Sequence, residues 1–352
     1  MEGCCTEVFR SLRNHSPLMK SALRLLSRVL VVTVTLCEPL GFAQGGASLM
    51  VKEYKNGLAF VQGKTGQGSG FITILKGQKY LLSNAHVVAG VRPPKFTLLD
   101  RTPLGVGSAS AAIGHDIVAV TVLSGGTPIP AMESVETEST IGDAVVVLGN
   151  AEGAGVVNLL EGRIVGIGPN LVEVDAPFVP GNSGSPIIHI RSGKVVGIAT
   201  YLTMRRSLTG GQSVRRFGYR LDSVQKWQAI DWTRFYAEAD AISRIEKTSE
   251  ELGLLLSDLV KAGRPSRSYT SSPIRAALDT FEKAQRPAMQ RSELERITEN
   301  LLTSLRAASV KDVREAAQRV GYDFFRRQLE DEEKGREEIF KVLDQAVKAQ
   351  RK

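Results

Sequence analysis

Three residues in the middle of the chain are of the types that nucleophilic catalysis requires: His86, Asp116 and Ser183, in that order. A serine hydroxyl becomes a strong nucleophile when a neighbouring base takes its proton, and a third group usually orients that base. His86 lies in LLSNAHVVAG, Asp116 in GHDIVAV and Ser183 in PGNSGSPII, each at the end of an apolar run. The residue types therefore allow an activated serine, provided that the fold brings them together.

Each of the three residues also has a structural explanation. A lone serine in a glycine-rich stretch is usually a turn residue, and an isolated histidine is more often structural than catalytic. His115 is an alternative to His86 as the base, but it is adjacent to Asp116 in the sequence. Because neighbouring strand residues face opposite sides of a sheet, His115 and Asp116 cannot both point into one cleft. His189 lies inside an apolar strand, and we interpret it as structural. It is the joint pattern of the three residues that favours catalysis.

The elements that must position these residues are short strands. Between residues 48 and 222, eleven β-branched or alternating runs are separated mostly by Gly, Pro, Asn or Ser. These runs cover residues 57–62, 70–75, 79–84, 95–100, 116–123, 143–150, 162–168, 171–176, 185–190, 194–202 and 216–221. Because no helical pattern alternates with them, the sequence predicts an all-β barrel or sandwich rather than a parallel sheet.

The character of the sequence changes after Asp222, which we interpret as a helix N-cap. Apolar residues recur at helical spacing over 223–260 and 274–350. A linker rich in proline, serine and arginine, residues 262–273, divides this part. We expect residues 224–352 to form an α-helical C-terminal region that packs on itself or on the β domain. The alternatives are an oligomerisation role or a membrane-surface role, and the mixed charge signs of the polar faces argue against the latter.

The first 43 residues have the features of a signal peptide. Basic residues precede the apolar run 29–37, and a small-residue pattern suits cleavage after Ala43. Met19 is an alternative start, because Met19 followed by Lys20 begins a more usual signal peptide. A membrane anchor is the alternative, but the run is well short of the ~20 residues that a spanning helix needs. All three cysteines lie in this segment, so the mature chain has no disulfide and no catalytic cysteine.

The overall composition is that of a globular protein, with 42% hydrophobic and 23% charged residues among 352. The formal net charge of +8 is spread along the whole chain rather than gathered in one segment. Nucleic-acid binding needs a clustered basic surface, so we expect no nucleic-acid partner. No metal-ligand or nucleotide motif is present in the sequence, and we expect no cofactor.

Three sequence blocks resemble those of the trypsin-like (chymotrypsin-fold) serine peptidases, in particular their compact HtrA/Deg-type branch. SNAHVV is similar to the family's histidine block, HDIVAV to its aspartate block and GNSGSP to its nucleophile block. GQGSGFI (66–72) resembles the first-barrel strand, and RFGYRLDSV (216–224) the strand-to-helix exit. The resemblance covers about 175 residues. Ser185, where many relatives have glycine, is a minor departure.

The resemblance implies an all-β double barrel over residues 44–223, followed by the helical region. It implies that Ser183 is the nucleophile, that His86 is its base and that Asp116 orients the imidazole. It also implies an oxyanion hole formed by the backbone N–H groups of Gly181 and Ser183, where a side chain at 181 would obstruct the substrate. The implied activity is that of an exported serine endopeptidase, either in a bacterial periplasm or secreted.

Specificity and partners are implied less directly. By resemblance, the pocket for the residue that precedes the cut is walled by Phe178, Ala199 and Leu202. Because these side chains are apolar, we expect small or medium aliphatic residues there. Two arginine pairs, at 205–206 and 215–216, flank a segment that is either a solvated loop or a rim that steers substrates. HtrA-type enzymes usually carry a PDZ domain, which the helical pattern of the C-terminal region does not match.

The sequence is also compatible with two other functions. The domain could be a catalytically inactive module that binds partners through its helices, or an esterase that uses the same residues. The expected partners of the peptidase are protein or peptide substrates, with a possible homo-oligomer or partner through the C-terminal region.

Overall fold

A computed structural model describes residues 50–149, 157–206, 212–262, 268–285 and 289–350. The chain divides into two compact units. The β unit contains the described residues up to Tyr236 together with Tyr322–Phe324, and the helical unit contains 237–321 and the residues from Phe325 onward. The predicted signal peptide, residues 1–43, lies outside the described residues, as do residues 263–267 of the linker predicted at 262–273.

The first half of the β unit is a seven-stranded antiparallel sheet. Its strands lie in the order β13-β5-β6-β3-β2-β1-β4. They are β1 (Leu58–Gln62), β2 (Gln67–Leu75), β3 (Gln78–Ser83), β4 (Lys95–Leu98), β5 (Gly105–Ala112), β6 (Val118–Ser124) and β13 (Trp227–Ala229). A one-and-a-half-turn helix, α1 (Ala85–Gly90), follows β3 directly, so it places a histidine at the end of a central strand.

The second half of the β unit is a closed six-stranded barrel, in the order β10-β11-β12-β9-β8-β7. Its strands are β7 (Ala144–Gly149), β8 (Asn158–Ile167), β9 (Leu171–Val174), β10 (Pro186–His189), β11 (Val195–Arg206) and β12 (Gln212–Arg220). A helical turn, α2 (Val135–Glu138), comes just before the barrel in the chain. A register shift between Ala199 and Tyr201 marks an irregularity in the β11–β12 pairing.

Sheet and barrel share one apolar core. Phe71 and Leu82 from the sheet are buried in the same cluster as Val146, Ile188 and Ile198 from the barrel. A second cluster fills the barrel itself, with Val172, Val174 and Phe178 among its members. The predicted trypsin-like fold class is confirmed, as a closed barrel beside a second β-sheet with helices following.

Two strands were missing from the sequence prediction. β5 has the sequence GVGSASAA, whose small residues carry little β-forming or hydrophobic signal. β13 is three residues long and pairs with β5. The interpretation of Asp222 as a helix N-cap was wrong, since β13 follows it and the next helix begins at Trp232. The Asp222 carboxylate instead accepts hydrogen bonds from Arg220 and from the Val135 N–H.

Long helices form the C-terminal region. They are α3 (Trp232–Ala262), α4 (Ser272–Ala284), α5 (Arg291–Ala317) and α6 (Asp323–Gln350). The core of the helical unit brings Leu255, Phe281, Leu301 and Phe340 into one buried cluster. In the part of the chain that the structure describes, no helix is both long enough and apolar enough to cross a membrane.

Candidate active site

His86 and Asp116 form a close pair at the edge of the first sheet. His86 lies in the first turn of α1, and Asp116 lies two residues before β6, the strand that pairs with β3. The imidazole Nδ1 is 2.6 Å from Asp116 Oδ2, and the backbone N–H of His86 donates to Asp116 Oδ1 at 3.0 Å. Because both carboxylate oxygens bind one residue, the orientation of the imidazole is fixed.

Asn84, which precedes α1, connects this pair to the barrel. Its side-chain N–H group donates to the backbone oxygen of Asp116 at 2.7 Å and to Thr200 Oγ1 at 3.0 Å. Asn84 is fully buried, and Thr200 is nearly so. The amide therefore fixes the loop that carries Asp116 against strand β11.

The electrostatic surroundings favour a protonated imidazole. Burial, the largest effect, lowers the pKa of His86, but the negative charge of Asp116 and the hydrogen bond to it together outweigh burial. The pKa of His86 is therefore raised above its ordinary value of about 6.5. Its side chain is 37% exposed, whereas that of Asp116 is 10% exposed. The imidazole is thus held by Asp116 at Nδ1, and part of the ring is exposed to solvent.

Ser183 lies where the sheet and the barrel meet. Its backbone oxygen accepts a hydrogen bond from the N–H of Ser69 in β2 at 3.2 Å. Its hydroxyl donates to the backbone oxygen of Thr200 at 3.3 Å. The hydroxyl of Thr200 also accepts a hydrogen bond from the Asn84 side chain. Thr200 in β11 therefore contacts both Ser183 and Asn84.

The loop around Ser183 leaves two of its backbone donors unused. The N–H groups of Asn182, Gly184 and Ser185 donate to Val179, Ala199 and Asn182 in turn. Within the described residues, the N–H groups of Gly181 and Ser183 have no hydrogen-bond acceptor. Gly181 has a φ of +99°, in the region that favours glycine. The turn thus presents two backbone donors beside the serine hydroxyl.

The other two histidines of the β unit are held by structural contacts. His115 is buried, with Nε2 2.8 Å from Ser223 Oγ and Nδ1 3.1 Å from the Ile113 oxygen. His189 is 1% exposed, with Nδ1 2.8 Å from Ser192 Oγ and Nε2 3.2 Å from Asp143 Oδ2. These contacts agree with the interpretation of His189 as structural and occupy both nitrogens of His115.

The three predicted pocket residues lie near one another in the fold. Phe178 and Ala199 are buried in the barrel's apolar cluster. Leu202 follows in β11, but its side chain lies outside what the structure describes. Arg216 in β12 pairs with Leu202, and its Nε donates to the backbone oxygen of Phe178 at 2.9 Å. A guanidinium therefore lies beside Phe178, one of the residues predicted to form the pocket.

Asn84, Thr200 and the position of Arg216 were not predicted from the sequence. Asn84 lies within the quoted histidine block, and its position before α1 was an available signal. Thr200 and Arg216 gave no such signal, because their contacts depend on how β11 and β12 pair. As for metals, the described residues contain no group of three His, Cys, Asp or Glu side chains that could hold an ion.

Comparison with known proteins identifies one domain of the chain. Residues 68–198 match the model of the trypsin-like peptidase domain. HhoA from Synechocystis sp., named as a serine protease, is 32% identical over 41% of this chain and 39% of its own. A DegP-like protein from Hahella chejuensis, named as a periplasmic serine endoprotease, is 32% identical over 39% of this chain and 30% of its own. The chain thus spans well under half the length of these relatives.

Solved structures include similar ones at low identity. Rv3671c from M. tuberculosis, in an inactive form, is 19% identical with a TM-score of 0.41, covering 54% of this chain and 93% of that one. The similarity to the trypsin-like peptidase domain comes from the sequence match over residues 68–198, a segment that includes His86, Asp116 and Ser183. This chain contains a trypsin-like peptidase domain similar to those of HtrA- and Deg-type serine proteases.

Proposed function

We propose that this chain is an exported serine endopeptidase whose catalytic residues are His86, Asp116 and Ser183. One observation carries the proposal. His86 is held by both oxygens of Asp116, one at its imidazole and one at its backbone N–H, in a site where Thr200 links Asn84 to Ser183. Such an arrangement supplies a base of fixed orientation in the same hydrogen-bonded network as a serine that lies beside two unused backbone donors.

In the first half-reaction, Ser183 Oγ attacks the carbonyl carbon of the peptide bond. Its proton passes to Nε2 of His86, the ring nitrogen that does not face Asp116, and the carboxylate stabilises the imidazolium. The backbone N–H groups of Gly181 and Ser183 bind the negative oxygen of the tetrahedral intermediate. The imidazolium then protonates the leaving amine as the C–N bond breaks, which leaves an acyl ester on Ser183.

In the second half-reaction, water attacks the acyl ester. His86 takes a proton from the water, the ester C–O bond breaks, and Ser183 regains its proton as the carboxylic acid product leaves. The cycle requires the Ser183 hydroxyl to leave the Thr200 oxygen and turn toward His86.

Export is part of the same proposal. The basic and apolar pattern of residues 1–43 supports it, and so does the relative named as a periplasmic serine endoprotease. We propose protein or peptide substrates outside the cytoplasm. We also propose that the helical unit, rather than the β unit, provides any contact with a second copy or partner.

Labelling with a fluorophosphonate probe tests the catalytic assignment. We expect labelling of the wild type, none of Ser183→Ala, and labelling slowed by orders of magnitude in His86→Ala. His189→Ala is a control, because its ring bonds to Ser192 and Asp143. Equal labelling of wild type and Ser183→Ala would refute the assignment. Labelling with ester turnover but no peptide turnover would identify an esterase, and no labelling would favour an inactive binding module.

A further inference from the structure

Arg216 is held in an unusual position beside the catalytic loop. It lies in β12, is half-buried, and donates its Nε–H to the backbone oxygen of Phe178 at 2.9 Å. A guanidinium has five N–H donors. Within the described residues this is the one hydrogen bond of the Arg216 side chain, and the remaining four N–H donors have no acceptor.

The neighbouring Arg215, by contrast, has a carboxylate partner for its guanidinium. Its Nε and Nη2 bind the Glu173 carboxylate at 2.7 and 2.6 Å, and its guanidinium lies 5.0 Å from the ring of Phe217. Successive strand residues face opposite sides. Arg216 therefore faces the other way, on the side of Val174 and Gly218, where the barrel cluster containing Phe178 and Ala199 lies.

Two short segments of chain connect this side of β12 to the serine. Phe178 is five residues before Ser183, and the turn between them is closed by hydrogen bonds between Val179 and Asn182 in both directions. Arg216 pairs with Leu202, which is two residues, about 7 Å, along β11 from Thr200. Ser183 donates to the backbone oxygen of Thr200. The serine is therefore connected to the Arg216 guanidinium by two short routes, one through Phe178 and one through β11.

The positive charge at this position is incompletely neutralised. Burial lowers the pKa of Arg216, and the charge of Asp175 acts in the opposite direction. Asp175 forms no ion pair with Arg216 in the described part of the chain, and its Oδ1 accepts the backbone N–H of Arg163 at 2.6 Å. A guanidinium of this kind remains protonated at neutral pH. Its partial burial strengthens its attraction for an anion.

We propose that Arg216 makes this peptidase selective for an acidic side chain, glutamate or aspartate, at the substrate residue that precedes the cut. The guanidinium would bind the carboxylate through its free N–H groups, in the two-pronged geometry that arginine favours. The inference depends on the proposed peptidase function, and it replaces the aliphatic preference expected from sequence, since that expectation placed no charge in the pocket.

Paired peptide substrates with both ends blocked test the proposal. They differ only in glutamate, its neutral isostere glutamine, or leucine before the cut. We expect the wild type to cleave the glutamate peptide about 10- to 100-fold more efficiently than the glutamine peptide. Arg216→Gln should bring this ratio close to one, and Arg216→Lys should retain part of it. Arg215→Gln, the adjacent control, should keep the wild-type ratio.

A binding measurement separates failure of the inference from failure of the proposed function. Ser183→Ala, which does not turn over, is titrated calorimetrically with peptides ending in glutamate amide, glutamine amide or glutamine with a free carboxylate. Tighter binding of the glutamate amide, abolished by Arg216→Gln, supports the proposal even if no cleavage is seen. Equal binding of the two amides refutes it even in an active peptidase. Preference for the free carboxylate also refutes it, because a chain terminus would then be the ligand.

Discussion

Asp116 binds His86 through both of its carboxylate oxygens, one receiving the backbone N–H at 3.0 Å and the other facing imidazole Nδ1 at 2.6 Å. The two contacts have different consequences. The backbone contact fixes the position of α1 relative to the strand that follows Asp116. The imidazole contact fixes which ring nitrogen carries the proton, and it leaves Nε2 as the basic nitrogen.

The pH dependence of activity follows from this pair. His86 must be neutral to act as a base, and Asp116 raises its pKa above the ordinary value of about 6.5. We expect kcat/KM to be low at acidic pH and to rise through a midpoint above that value. The same pairing stabilises the fold below pH ~6.5, where the unfolded histidine is also protonated, and this contribution is lost as the pH rises through the folded pKa.

Replacing the carboxylate tests the origin of that midpoint. In Asp116→Asn the charge is gone, and burial alone then lowers the pKa of His86. We expect kcat/KM to fall by about 10⁴-fold, as is typical when the orienting carboxylate of such a triad is lost. The acid-side midpoint should move below that of the wild type. Peptide hydrolysis between pH 5 and 9 measures both, and an unchanged midpoint contradicts the assigned cause.

Asn84 should contribute to both stability and activity. Its replacement by alanine leaves the Asp116 oxygen and the Thr200 hydroxyl without a buried donor. We expect Asn84→Ala to lower the free energy of unfolding by about 1–3 kcal/mol, and to slow fluorophosphonate labelling because the Asp116 loop loses its anchor. Urea unfolding and labelling rates measure the two effects.

Ser108→Ala is the control for that experiment. It removes an exposed side-chain contact, 3.3 Å from Ser108 Oγ to Thr121 Oγ1. The free energy of unfolding should then change by less than about 0.5 kcal/mol. If Asn84→Ala is no more destabilising than this control, the amide does not hold the site together.

Alanine substitutions at two glycines of positive φ distinguish the cost of backbone strain from the cost of steric overlap. Gly184 and Gly77 have φ values of +88° and +79°. A Cβ on Gly77 meets nothing within 4 Å, whereas one on Gly184 would overlap the backbone oxygen of Ser69. We expect Gly77→Ala to cost about 1–2 kcal/mol. Gly184→Ala should cost clearly more and also slow labelling, because the Ser183 loop must shift. Urea unfolding of both variants is the measurement, and equal losses contradict the role of the overlap.

Much of the site was predictable because it is encoded in short contiguous segments. His86, Asp116 and Ser183 each follow or precede an apolar run, and strand ends can be recognised locally. β5 was missed since its stability comes from pairing with β6 and β13 rather than from its own small residues. The function of Arg216 depends on the β11–β12 register, which shifts between Ala199 and Tyr201. A shift of this kind is set by tertiary pairing, and it decides which of two adjacent arginines faces the pocket.

The last prediction concerns Arg220 at the end of β12. Its guanidinium binds both oxygens of Asp222 at 3.1 and 2.7 Å and the Gly168 oxygen at 2.7 Å, and both side chains of the ion pair are less than 10% exposed. Arg220→Ala leaves the Asp222 carboxylate buried without this partner. We expect the free energy of unfolding to fall by about 3–5 kcal/mol.

Arg215→Ala provides the matched comparison. It removes an ion pair with Glu173 of similar geometry, but the Arg215 side chain is 42% exposed. The loss should therefore be at most about 1 kcal/mol.

A double variant, Arg220→Met with Asp222→Leu, should recover part of the stability lost in Arg220→Ala, because no buried charge is left unpaired. Recovery should be incomplete, since the Val135 N–H also loses its acceptor. Urea unfolding of the three variants gives the comparison, and equal losses in Arg220→Ala and Arg215→Ala would show that burial does not set the contribution of these pairs.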